Sequence, residues 1–185
     1  MREIIKLHPQ ESMSQSRLVF EESWLDKFNT LTVYLVFSPF ILLPVEMYLN
    51  ESFINPNERF ILYCVLPISV LSGLYIYYRS ATEKRLTKIH TSLKRQDARQ
   101  LLLNYAEKKG YEIYLKSNDC LIFNETYDDW NSNYKKTRIF FVQDKIIMFC
   151  IIRDSFKINM PILFSHLFLK VELKKLVKEK GVENS

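Results

Sequence analysis

Glycine, alanine and cysteine are scarce in this 185-residue chain. The three glycines (Gly73, Gly110, Gly181) lie far apart, which excludes a phosphate cradle of the P-loop or dinucleotide type, since such a cradle needs clustered glycine backbone. Three cysteines are too few for a disulfide scaffold. The three histidines, His8, His90 and His166, have no second ligand at helical spacing, so no zinc signature of the HExxH kind is present. What is abundant is apolar and aromatic: 48% hydrophobic and 14% aromatic residues with a net charge of +5, too hydrophobic for a disordered tail.

Two charge-free runs dominate the first half, Phe28 to Val45 and Phe60 to Tyr78. At 1.5 Å per residue each extends about 27 to 28 Å as a helix, enough for a thin hydrocarbon core. Neither shows the polar stripe of a soluble core helix. The expectation is a transmembrane hairpin, with helices over 28–49 and 60–78 joined by a short external loop, 50–59. Pro39, Pro44 and Pro67 predict kinks, tolerable in lipid where neighbouring groups satisfy the freed carbonyls. Ser69 and Gly73 form a small-xxx-small pair that lets another helix approach, the first span or a second copy of the chain. Tyr34, Tyr48, Tyr75, Tyr77 and Tyr78 suit the headgroup regions.

Basic residues set the orientation. Segment 1–27 and the stretch after Arg79 are rich in Lys and Arg, while the loop has only Arg59, so both termini are expected in the cytoplasm of a multi-pass protein of the bacterial inner membrane. Acidic residues precede the first run and no small-residue cleavage site follows it, against a cleaved signal peptide.

Residues 79–185 read as a small α+β cytoplasmic domain: a helix, four to five mostly antiparallel strands, and a helix. Thr82 to Lys109 looks helical, with Gly110 at its C-terminal cap. Leu86, Ile89 and Leu93 share one helical face, and Lys84, Arg85, Lys88 and Arg95 gather on another, suited to anionic headgroups or simply to solvent. Strands are expected at Tyr111–Leu115, Cys120–Asn124, Thr137–Val142 and Ile146–Ile152, with a short extended piece at Phe156–Asn159. The run Ile146–Ile152 is apolar on both faces and belongs inside a covered sheet. A closing helix, Ile162–Lys178, has two apolar faces: Phe164, Leu167, Phe168 and Val171 on one, Ile162, Leu169, Leu173 and Leu176 on the other. One covers the sheet; the Thr82–Lys109 helix is the expected cover for the other. The fragment from Thr82 onward is expected to fold alone.

Chemistry is thin. Cys120 and His166 could be written as a nucleophile pair without local support. The stretch Glu125–Lys136 places Tyr127, Trp130 and Tyr134 between an acidic group (Glu125, Asp128, Asp129) and the basic Lys135 and Lys136. Exposed aromatics flanked by both charges suit protein recognition, whereas an ordinary hairpin loop with Trp130 folded on the core needs no function at all. The carboxylates lack the regular spacing of a calcium loop. The reading that follows is a non-enzymatic membrane anchor for a cytoplasmic interaction or regulatory domain, of an assembly, immunity or defence type. Its partners are the lipid bilayer, an unidentified protein and a possible second copy, with no cofactor and no nucleic acid. The alternative is a membrane-proximal enzyme using Glu125, Asp128 and Asp129.

Overall fold

The computed structural model describes residues 7–21, 24–49, 60–129, 132–155 and 162–183. A short helix α1 (Pro9–Gln15) is followed by α2 (Trp24–Phe37) and α3 (Pro39–Leu49), two halves of one apolar rod that break at Ser38. Proline explains the break. Pro39 has no N–H to offer the Leu35 carbonyl, and Ser38 Oγ donates to that carbonyl instead at 2.9 Å. The stretch Lys27–Met47, 21 residues, is long and apolar enough to cross a membrane. A π-helical turn, Ile61–Val65, then leads into α4 (Leu66–Thr82), 17 residues with Pro67 in its first turn, where a missing N–H is tolerated.

The rest of the chain is α+β. Strand β1 (Thr87–His90) precedes α5 (Arg95–Lys109), then come β2 (Glu112–Lys116), β3 (Cys120–Asp129), β4 (Ser132–Gln143), β5 (Ile146–Ser155) and α6 (Ser165–Glu183). The five strands form one antiparallel sheet in the order β1-β5-β4-β3-β2. Helix α5 begins where the Asp144 carboxylate accepts the Arg95 N–H at 3.2 Å. It ends at Gly110, whose φ of 68° is the left-handed cap that glycine adopts without strain.

Both faces of the sheet are covered, and alternation along β5 shows how. Ile147, Phe149 and Ile151 enter a core with Leu101, Leu102 and Tyr105 of α5 and Leu169, Leu173 and Val177 of α6. Met148, Cys150 and Ile152 enter a second core with Ile122, Ile139 and Phe141, closed by Leu18, Phe20 and Leu86. The N-terminal segment is therefore an integral layer of the domain. Its backbone is tied down by the Leu18 N–H to the Lys84 carbonyl (2.7 Å) and the Leu86 N–H to the Ser16 carbonyl (3.0 Å). Inside that layer the buried Ser12 hydroxyl donates to the His8 carbonyl and accepts the Val19 N–H.

Three sequence expectations need correction. The helix expected over Thr82–Lys109 is divided: α4 runs through to Thr82, residues 87–90 are strand β1 on the edge of the sheet, and helix resumes only at Arg95. The spacing that suggested a helical face is equally satisfied by a strand, because residues three apart point to opposite sides and there is a core on each: Leu86 enters one, Ile89 the other. The expected basic helix is accordingly absent, and Lys84, Arg85, Lys88 and Arg95 sit on a turn, a strand and a helix start. Secondly, β3 and β4 extend past the predicted strand ends through most of Glu125–Lys136, with register running to Asp129↔Ser132. Finally, the closing helix begins at Ser165, not at the expected Ile162, and only one apolar face of α6 and the turn leading into it is covered. Ile162, Leu169 and Leu173 are buried, whereas Phe164, Leu167, Phe168 and Val171 are exposed and α5 does not cover them. The piece Phe156–Asn159 lies outside the described residues.

Candidate membrane-boundary site

The two apolar segments pack against each other at points the sequence marks. A Cβ on Gly73 would come within 2.8 Å of Ile41 Cγ1, so only glycine permits this approach. Pro44 leaves the Phe40 carbonyl without its helical donor, and Ser69 Oγ of α4 donates to it at 3.1 Å. Nearer the sheet domain, Tyr77 Oη donates to the Tyr34 carbonyl at 2.6 Å and the two rings meet edge to face. The outward surfaces of both segments stay apolar, with Leu31, Leu35, Leu42, Leu43, Ile68, Leu71 and Leu74 all exposed.

At the far end α4 is bolted to the start of α6. Tyr75 and Arg79, one turn apart, both reach it. Tyr75 Oη donates to the Leu163 carbonyl at 2.8 Å, its ring stacks on Phe164, and Arg79 Nε and Nη2 donate to the Ile162 carbonyl at 3.1 and 3.0 Å. Beside this joint lies a cavity of about 500 Å³. Its wall comes from α1's end (Ser16), α4 (Tyr78, Arg79, Thr82), the turn into β1 (Arg85 to Lys88) and α6 (His166, Leu167, Lys170). Four cations line it and no carboxylate does. Burial, with the charges of Arg79 and Lys170, holds the His166 imidazole below its ordinary value, so it is neutral at pH 7.

Compared with family models, with curated proteins and with solved structures, the chain matches none.

The other residues singled out in the sequence are dispersed. Lys84 lies over the Phe20 ring (5.1 Å), and Arg95 pairs with Asp119, so of the four expected surface cations only Arg85 and Lys88 reach the cavity. On the β3–β4 hairpin Tyr127 faces Tyr134 in the register, and Trp130 lies outside the described residues. Lys135 sits over the Tyr114 ring at 5.3 Å. Burial lowers the Lys136 ammonium, with Glu125 opposing the shift. Glu125, offered above as a catalytic carboxylate, is ion-paired with Arg138 at 2.5 Å, and Arg138 stacks on Tyr111. No group of three metal-binding side chains exists among the described residues.

Cys120 and Cys150 are buried in the second core, where desolvation pushes each thiol up to about 12, so neither is a nucleophile at neutral pH. His166 lines the cavity, and no hydrogen bond joins it to Cys120. Sequence reasoning missed Lys170, and it considered His166 only as a partner for Cys120. Lys170 and His166 lie more than eighty positions from Arg79 and Arg85, and no local spacing could have joined them.

Proposed function

We propose that this chain is a two-span membrane anchor, both termini cytoplasmic, that holds an α+β interaction or regulatory domain against the inner membrane. One observation carries the reading. Residues 7–20, before the first apolar segment, and the described strands and helices between residues 84 and 177, after the second, belong to one packed body. A chain that leaves that body near Trp24 and rejoins it at Thr82 goes out and comes back, and this supports an antiparallel pair with both ends on one side independently of charge.

Three further features support lipid as the medium around the pair. Its outer surface is apolar. The carbonyls freed by Pro39 and Pro44 are each met by a serine hydroxyl, as a membrane interior requires. Basic residues collect where the pair meets the domain. In this reading Tyr127, Trp130 and Tyr134 remain the candidate protein-recognition residues, and the role is assembly, immunity or defence rather than catalysis.

Reporter fusions test the topology. A periplasm-dependent reporter placed after Phe53 should be active and the same reporter after Ser185 silent; a cytoplasm-dependent reporter should give the reverse. Activity of the periplasm-dependent fusion at Ser185 would sink the reading.

A further inference from the structure

We infer that the cavity at the joint of α4, β1 and α6 binds the phosphate of an anionic phospholipid. This rests on the membrane reading above and specifies what the boundary recognises. Arg79, Arg85, Lys88 and Lys170 converge on one space without a carboxylate among them. Among the described residues Arg85, Lys88 and Lys170 have no ion-pair partner. Cations held together by the fold repel one another, and an anion seated between them removes that repulsion.

Arg79 is pre-oriented by its two bonds to the Ile162 carbonyl, so its position is set by the fold before any anion arrives. Ser16 and Tyr78 line the same wall, and a hydroxyl suits an ester oxygen, whereas Thr82 already gives its hydroxyl proton to the Tyr78 carbonyl at 2.8 Å. The choice of a lipid over a soluble phosphate comes from what adjoins the cavity. Tyr78 ends the second apolar run and Arg79 directly follows it, which puts the cations at headgroup depth if that run spans. On the other side Leu167 leads onto the exposed face of Phe164, Phe168 and Val171, with Phe164 stacked on Tyr75 of α4. The uncovered face of α6 is thus continuous with the apolar helical pair, and acyl chains would lie along it while the phosphate sits among the cations.

The test uses the full chain purified in neutral detergent, with retained lipid read by native mass spectrometry. Phosphatidylglycerol should be retained about tenfold over phosphatidylcholine offered at the same amount. The variant Arg85→Gln/Lys88→Gln/Lys170→Gln should abolish that preference, and Lys170→Gln alone should reduce it about fivefold with an unchanged melting temperature. A charge-matched control on the exposed side of α6, Lys174→Gln/Lys175→Gln/Lys178→Gln, should keep it. Equal retention of the two lipids, or equal loss in the control, overturns the site. Glycerol 1-phosphate binding as tightly as phosphatidylglycerol would overturn the lipid in favour of a soluble phosphate. Recovery of the chain in the soluble fraction overturns the membrane reading, whereas a membrane-integrated chain indifferent to lipid charge overturns this inference alone.

Discussion

The helical pair and the sheet domain use the same residue types in opposite ways. Phe123, Phe140, Phe141 and Phe149 are 0% exposed in the sheet, while Leu35, Leu42 and Leu71 on the helices are 64%, 63% and 66% exposed. The domain hides apolar side chains from water in two cores. The helices hide little from anything, and what holds them together is local: a glycine that admits Ile41, a serine that meets a vacant carbonyl, a tyrosine hydroxyl on a backbone oxygen. The difference is the one expected of the proposed setting, in which the domain lies in water and the pair in lipid. In water burial of apolar area drives association; in lipid it contributes little, and close packing and hydrogen bonds have to serve.

Truncating a side chain in each region should expose this contrast most strongly. Phe149→Ala empties a site against Phe140 in a fully buried layer and should destabilise the domain by about 3 to 5 kcal/mol, a large share of a typical domain's stability. Leu42→Ala, on the exposed surface of α3, should change stability by no more than about 0.5 kcal/mol. Thermal melts of both variants in detergent decide it, and equal losses would mean that the helical surface is a core.

A smaller effect is expected where the helices touch. Gly73→Leu places atoms where Ile41 already stands and should cost about 1 to 3 kcal/mol through forced separation of the pair. Hydrogen exchange should show the loss in α3 and α4 amides while β4 and β5 keep their protection. Unchanged exchange in the helices would deny the contact.

The smallest effect lies on the rim of the first core, where Glu172 accepts the Tyr105 hydroxyl at 2.8 Å and pairs with Lys109 at 2.6 Å. Burial raises the Glu172 carboxyl, but the Lys109 and Tyr105 hydrogen bonds outweigh it and leave the group below its ordinary value; Lys109 is raised chiefly by its bond to Glu172. For the carboxylate the stabilisation is present above its unfolded value and is lost as pH falls through the depressed folded one. For Lys109 it is present below the ordinary lysine value and is lost as pH rises through the raised one. Both side chains are over a third exposed, so Glu172→Gln should cost less than about 1 kcal/mol at pH 7. The gap from the parent chain should close in acid and in strong base; a gap independent of pH would show that the ion pair is not its source.

How far the sequence revealed all this varies with the range of the signal. The apolar runs became helices, the run Ile146–Ile152 became a strand covered on both faces, and Gly110 caps a helix, since each of these depends on neighbours in the chain. Strand β1 was illegible because Leu86, Ile89 and Leu93 satisfy a helical period and a two-sided strand equally well. The outer halves of β3 and β4 are polar, so no alternation marked them. The layer formed by residues 7–20 carries only a few apolar residues, Leu7, Met13, Leu18 and Phe20 among them, too sparse to announce a cover for the sheet. Without it the fragment beginning at Thr82 would leave Ile122, Ile139, Phe141 and Met148 in water, which argues against the independent folding expected from length alone. The cavity draws on four separate segments and could not be seen before they were brought together.

The meeting of Pro44 and Ser69 also fixes where along its length one helix stops against the other. Apolar side chains in lipid offer nearly the same welcome at many offsets, so a pair held by them alone would be free to slide. A single vacant acceptor on α3 and a single hydroxyl on α4 coincide at one offset only, and a shift of one turn, about 5.4 Å, would part them. Proline thus acts as a keying mark, and because α4 continues unbroken into the joint with α6, the mark also sets where α3 stands relative to the domain, which in the proposed membrane setting is the depth at which the domain rides.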